Sequence, residues 1–285
     1  MAHIQVLEGL SLPGSAEREN DDAMGATSSI AFVLDGVTSL LDQPLMPGRS
    51  DAAWVAHTAR DLLLKHSAQA AGDLRELVRG VAEEITQQFE LVSSRPPCAR
   101  YELPWTTLSI VAVEPGLMHV AFVGDSRVLI ETSDDQVHNY GVTPSRGAFE
   151  TNLAAKMIAA RKGIGIEAQR LTVHDELRRV RALVNTAEGY WLLGADAAVA
   201  DHLNVATLKL DGAATILLAT DGFYALTEDY HRYGDRELIA TAQVVGLKTL
   251  ARELRHIEEE DPNGERFPRM KKSDDATALL IRVEP

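Results

Sequence analysis

The residues best suited to chemistry in this chain are aspartates placed where apolar runs stop. Asp35-Gly36 closes Ile30-Ala31-Phe32-Val33-Leu34, and Asp221-Gly222 closes Ala214-Thr215-Ile216-Leu217-Leu218-Ala219-Thr220. Asp125, in Gly124-Asp125-Ser126-Arg127, follows Val120-Ala121-Phe122-Val123. Asp274-Asp275 opens a run that ends Ala278-Leu279-Leu280-Ile281-Arg282-Val283. Taken singly, each has an ordinary reading. Asp-Gly is a turn, Gly-Asp-Ser-Arg is compatible with a hairpin turn, and Asp274-Asp275 is a solvated pair ahead of an edge strand. Arg18-Glu19-Asn20-Asp21-Asp22 reads equally well as a polar turn. Taken together, several carboxylates stand at the ends of buried strands, where they would repel one another. A cation that cancels the charge explains them best, and glycine after the aspartate lets the backbone approach a ligand and offer a carbonyl. A metal-dependent enzyme is therefore expected.

The elements that must position these carboxylates can be read from periodicity. Strands are expected over 28–34, 105–113, 117–123, 127–131, 214–220 and 275–283. Glu114-Pro115-Gly116 makes a hairpin of the second and third. A helix is expected over about 51–66, with Trp54, Val55, Thr58, Leu62 and Leu63 on one face. A second opens with Asp73 as cap and Glu76 completing a capping box. It continues through Leu74, Leu77, Val78, Val81, Ile85, Phe89 and Val92, and Arg95-Pro96-Pro97 ends it. A later helix carries Leu247, Leu250, Leu254 and Ile257. Clusters of antiparallel strands with paired helices make the fold class α+β, a layered sandwich rather than an alternating parallel sheet. The region 141–205 has no clear pattern and suits a flap or insertion. A short helix through Ala154, Met157 and Ile158 is expected there, before Arg161-Lys162-Gly163-Ile164-Gly165.

Composition narrows the class. The chain has 285 residues, 45% hydrophobic and 25% charged, which suits a globular protein with a sizeable core. It carries a single cysteine, Cys98, and no apolar stretch approaches the roughly 20 residues that span a bilayer. The first residues lack the pattern of a signal peptide. A reducing cytoplasm is the expected location, with no membrane partner. A formal net charge of -14 argues against a nucleic-acid binder, which needs a basic face.

These motifs, in this order, resemble the metal-dependent protein phosphatases of the 2C type. The family pattern appears as Asn20-Asp21-Asp22, Leu34-Asp35-Gly36, Gly124-Asp125-Ser126-Arg127, Thr220-Asp221-Gly222-Phe223 and Asp274-Asp275-Ala276-Thr277. The resemblance spans nearly the whole chain, 1–285, as one domain, with 141–205 as its divergent flap. It implies an αββα sandwich of two antiparallel sheets flanked by helix pairs. It also implies that Asp35 bridges two Mg²⁺ or Mn²⁺ ions. Asp221 and Asp274 would complete one ion's shell, while Asp21 or Asp22 and the Gly36 carbonyl serve the other. Asp125 would help hold a third ion with Asp221, as in bacterial members. Metal-activated water would attack phosphorus directly, without a phosphoenzyme. Arg18 would bind the substrate phosphate.

The chain departs from that pattern at four places. Val37 stands where many eukaryotic members have histidine. Arg18 lies about one residue closer to the acidic doublet than usual. Asp275 replaces an asparagine, and the flap matches poorly. Other phosphatase chemistries fail on spacing. Cys98 is followed at the required distance by Pro104 instead of arginine, and Val33 stands two before Asp35 where an aspartyl-phosphate enzyme needs aspartate. No histidine pair has a convincing metal-ligand spacing. The expected function is a bacterial-type phosphatase acting on phosphoserine and phosphothreonine in proteins. It would be a monomer, opposed by a Ser/Thr kinase acting on the same targets. Two alternatives stay open, a degenerate regulatory module and a phosphatase of a small metabolite.

Overall fold

A computed structural model describes residues 2–69, 73–141, 174–269 and 271–285. Its frame is two five-stranded antiparallel sheets laid face to face. In chain order the strands are β1 (His3–Leu12), β2 (Asp22–Ala26), β3 (Ile30–Asp35), β4 (Trp105–Thr106), β5 (Leu108–Glu114) and β6 (Leu117–Val123). They continue with β7 (Arg127–Glu131), β8 (Val137–Tyr140), β9 (Leu193–Gly194), β10 (Asn204–Lys209), β11 (Ala214–Ala219) and β12 (Ala276–Glu284). One sheet has the order β1-β12-β11-β7-β8 and the other β10-β6-β5-β3-β2, while β4 and β9 pair as a short ribbon.

Strand alternation assigns each side chain to a layer. Ala31, Val33, Val111, Val120, Val128, Ile130, Ile216, Leu218 and Ile281 fill the space between the sheets. Their neighbours Ile30, Phe32, Leu34 and Ile110 point outward to α1 (Asp51–Lys65) and α2 (Leu74–Val92). On the far side, Leu129, Leu217 and Leu280 meet α4 (Asp221–Glu228), α5 (Asp235–Val245) and α6 (Leu247–Glu260). Strands buried on both faces read as continuous apolar runs, which is why β3, β11 and β12 were legible. The sandwich is the expected α+β αββα arrangement, with helices on both outer faces.

The differences have local causes. β1 was not expected, because a register shift between Val6 and Glu8 breaks its alternation and it lies at a sheet edge. β2 contains the acidic doublet's second residue and little apolar content, so it read as turn. The strand expected through 220 stops at Ala219, and Asp221-Gly222 is the first turn of α4 instead of a loop. Asp73 caps α2 by accepting from the Arg75 N–H at 2.8 Å, while Glu76 turns to Arg79 at 3.2 Å in place of the expected capping box. Val92, expected on the buried face of α2, is 40% exposed.

Region 141–205, expected as a flap or insertion, includes two strands of the frame. The proposed helix through Ala154, Met157 and Ile158, and Arg161 after it, lie outside the described residues. The flanking residues form α3 (His174–Arg181), then β9, a 3-10 turn over Ala197–His202, and the start of β10. β9 pairs with β4, and β10 forms the edge of the second sheet through β6, so both belong to the frame.

Candidate metal centre

The carboxylates gather at one end of the sandwich, supplied by both sheets. In the second sheet, Asp22 on β2 lies directly opposite Asp35 on β3. Opposed residues of an antiparallel pair project to the same face, so register alone brings these two carboxylates together. Asp35 is fixed through its backbone. Its N–H donates to Thr107 Oγ1 at 3.0 Å, and its carbonyl accepts from Thr107 N–H at 2.8 Å and from the Thr106 hydroxyl at 3.0 Å. Gly36 follows in a gap with no room for a side chain. A Cβ there would lie 2.5 Å from the Asp21 carbonyl oxygen and 2.6 Å from that of Ala52. The Gly36 N–H donates to the same Asp21 carbonyl at 3.0 Å, which holds the doublet against β3.

The first sheet contributes the opposite wall. Thr220 directly follows β11 and is the N-cap residue of α4, which places Asp221 in the first turn of that helix. The Thr220 hydroxyl donates to Asp22 Oδ2 at 2.8 Å and accepts from the Thr277 N–H at 3.0 Å. This one buried hydroxyl therefore joins β2, β11 and β12. Asp125 sits in the connection from β6 to β7. The next residue, Ser126, is hydrogen-bonded through its hydroxyl to Thr107 at 2.7 Å, tying that connection to the residue that fixes the Asp35 backbone.

Asp275 has a task the sequence did not disclose. Its Oδ1 accepts from Gly14 N–H at 2.6 Å and its Oδ2 from Asp21 N–H at 2.7 Å. Both oxygens are thus occupied by backbone amides, which pins the loop between β1 and β2 to the last strand. An asparagine has one acceptor oxygen and could satisfy only one of them. Ser50, the N-cap of α1, accepts from Ala53 N–H at 3.2 Å and donates its hydroxyl to Asp21 Oδ1, so helix α1 also orients the doublet.

Carboxylate oxygens of Asp35, Asp125 and Asp221 all lie within 4.8 Å of one another. Burial raises the Asp35 pKa well above the usual carboxylate range, and the charges of Asp221, Asp22, Asp125 and Asp274 raise it further. Asp22 is raised in the same way, by burial and then Asp275 and Asp221, against the lowering hydrogen bond from Thr220. Asp21 is pushed up to about 6, chiefly by burial, with Ser50 opposing and Asp275 adding to the rise. Such a set has two ways to relieve its repulsion: take up protons, or bind a cation. The donors are hard oxygens on rigid strand ends and one helix start, which fits Mg²⁺ or Mn²⁺. Asp274 is in contact with Lys271. Its Oδ1 lies 2.6 Å from Lys271 Nζ and also accepts from Asp275 N–H at 2.9 Å.

The structure thus draws Asp22, Asp35, Asp125, Asp221 and Asp274 into one electrostatic cluster, with Asp21 at its margin and the Gly36 backbone beside Asp21. Arg18 is exposed in the loop between β1 and β2, three residues ahead of Asp21. Sequence reasoning missed Thr107, Ser50, the double role of Asp275, and Lys271. Thr220 was visible only as the first letter of its motif. Nothing in residue type or spacing marks Lys271, because its partner is fixed by the turn into β12.

Comparisons with known proteins identify the family and the fold. The sequence matches the family model described as Protein phosphatase 2C over residues 15–257. No curated protein matches the chain by sequence. Among solved structures, the Mycobacterium tuberculosis serine/threonine phosphatase PstP/Ppp is similar with a TM-score of 0.59 at 15% identity, covering 99% of this chain and 100% of that one. A PstP catalytic domain in complex with two manganese ions gives 0.55 at 16% identity, with 100% of each chain covered. PppA of Pseudomonas aeruginosa, a regulatory component of the T6SS, gives 0.54 at 18%, covering 99% of this chain and 100% of that one. These likenesses carry the fold, and the family match covers most of the sequence. The chain belongs to the protein phosphatase 2C family.

Proposed function

We propose that this chain hydrolyses phosphoserine and phosphothreonine in proteins at a centre of two or three Mg²⁺ or Mn²⁺ ions. The observation that carries the reading is the convergence of Asp35, Asp125 and Asp221 oxygens within 4.8 Å at the meeting of two sheets. Asp35 would bridge ions, with Asp221 and Asp274 on one side and Asp21, Asp22 and the Gly36 carbonyl on the other. Asp125 and Asp221 would hold a further ion. When bound, the ions lower the pKa of water and neutralise the charge of a phosphate monoester. The protein's own share is orientation. Thr220 fixes Asp22, the Thr106 and Thr107 backbone contacts fix Asp35, and Asp275 holds the Asp21 segment against β12. Arg18, on the loop beside the doublet, would grip the substrate phosphate through parallel hydrogen bonds.

The whole of 1–285 is read as a single phosphatase domain, with the divergent region 141–205 as its flap, an element of substrate selection or of regulation. It is read as a cytoplasmic monomer that reverses the work of a Ser/Thr kinase. No described helix is long and apolar enough to cross a membrane.

The test is hydrolysis of a Thr-phosphorylated peptide and of p-nitrophenyl phosphate, with Mn²⁺ and with EDTA, for wild type and Asp35→Asn. Peptide hydrolysis should require the metal and fall by at least ~10²-fold in Asp35→Asn, which removes the shared charge between ions. Undiminished turnover in EDTA would refute the metal reading. Turnover of a phosphorylated metabolite with none of the peptide would move the substrate class.

A further inference from the structure

Lys271 is the feature that the proposed chemistry does not absorb. Its Nζ lies 2.6 Å from Asp274 Oδ1, the oxygen of a proposed ion ligand, and its side chain is only 26% exposed. Beyond Asp274, the ammonium also interacts electrostatically with Asp35 and Asp221. The group therefore sits in the field of the whole cluster and not only in a pair with its neighbour. Asp274 Oδ1 already serves two donors, Lys271 and the Asp275 N–H. A divalent ion approaching that oxygen meets a positive charge held at hydrogen-bond distance from the same atom.

We propose that Lys271 is a tethered cation that neutralises part of the carboxylate cluster when metal is scarce and must be displaced for an ion to bind at Asp274. This rests on the reading of Asp274 as an ion ligand. Its consequence is a trade. The metal-free protein keeps a counter-charge that limits repulsion, and the ion at Asp274 binds more weakly than the carboxylates alone would hold it. Occupancy of that ion then depends on free metal concentration, while the ion on the side of Asp21, Asp22 and the Gly36 carbonyl is less affected.

The experiment titrates Mn²⁺ by calorimetry into metal-stripped wild type, Lys271→Met, Lys271→Arg and Asp35→Asn, and follows thermal unfolding of each in EDTA. Lys271→Met keeps most of the length of the side chain and removes its charge. It should bind Mn²⁺ at one site on the order of tenfold more tightly, since a like charge beside the ligand is gone. It should also melt at a lower temperature than wild type in EDTA, and at an equal or higher one in saturating Mn²⁺. Lys271→Arg should stay near wild type in both. A purely structural lysine would instead lower the melting temperature in both conditions and leave Mn²⁺ affinity unchanged, which overturns the proposal. If Lys271→Met does not fold, Lys271→Gln is read by the same criteria. Failure of the underlying reading looks different: wild type itself would bind no Mn²⁺, or Asp35→Asn would bind it as wild type does.

Discussion

Replacing Asp275 by asparagine tests whether that carboxylate is a clamp or a burden. In the wild type its two oxygens accept from Gly14 N–H at 2.6 Å and Asp21 N–H at 2.7 Å. Asparagine keeps one acceptor and turns an NH₂ donor toward the other amide. One charge-assisted hydrogen bond becomes neutral, and one backbone N–H faces a donor, which together cost about 2–3 kcal/mol. Against this, the substitution removes a negative charge that raises the pKa of both Asp21 and Asp22. In a partly solvated site that relief is worth about 1 kcal/mol. The net loss without metal is therefore about 1–2 kcal/mol. With Mn²⁺ bound the repulsion is already cancelled, so the full ~2–3 kcal/mol should appear. For a chain of this length ~2 kcal/mol corresponds to ~3 °C in melting temperature. The assay is urea denaturation of wild type and Asp275→Asn in EDTA and in saturating Mn²⁺, with free energies extrapolated to water. A penalty larger in Mn²⁺ than in EDTA is expected. An asparagine variant as stable as wild type in Mn²⁺ would refute the clamp, and would mean the two amides are satisfied equally well without the carboxylate.

Three further outcomes follow from the same geometry. Gly222→Ala should cost about 2–4 kcal/mol in urea denaturation and weaken Mn²⁺ binding, because a Cβ at 222 would stand 1.9 Å from the Asp275 carbonyl oxygen and force α4 and Asp221 away from β12; wild-type stability would contradict the close approach. In EDTA, Asp21→Asn should become progressively more stabilising as pH rises from about 4 to 7. The folded Asp21 pKa is raised to about 6 from 3.8, so the native state binds the proton more tightly and wild-type stability falls as pH climbs between those values. The gain should reach about 1–2 kcal/mol after allowance for partial solvent screening, and a gain that shrinks with pH would reverse the sign of this argument. Arg18→Ala should raise KM for a phosphopeptide several-fold with Mn²⁺ affinity unchanged, and an unaltered KM would remove Arg18 from phosphate binding.

How far the sequence could be read depended on burial on both faces. β3, β11 and β12 are largely apolar runs with an aspartate at or beside one end, so both the strands and their carboxylates were visible. β2 is Asp22-Ala23-Met24-Gly25-Ala26, which has no apolar run to read, and it is a strand because β3 provides a partner. The helix beginning at Asp221 was hidden because Asp-Gly signals a turn locally, whereas the structure seats Gly222 closely against Asp274-Asp275 in the first turn of a helix. Lys271 and Ser50 escaped for a different reason. Their partners are set by how loops fold back onto the sheets, and contacts of that kind leave no periodicity in the chain.

The position of the cluster in the chain bears on the order of events in folding. Its carboxylates run from Asp21 to Asp275 and come from both sheets, so no part of the chain can assemble it alone. The loop closures it needs are among the longest the chain can make, and they become favourable only after both sheets have formed and docked. Contacts that close this late are absent from the folding transition state, so stabilising them acts on the escape from the native state and leaves arrival almost untouched. Bound ions should therefore lengthen the native lifetime in proportion to their affinity while the refolding rate stays constant. If the proposed ions bind, the native lifetime should follow the metal supply and fall to that of the metal-free protein, on the timescale of unfolding, once the metal is withdrawn.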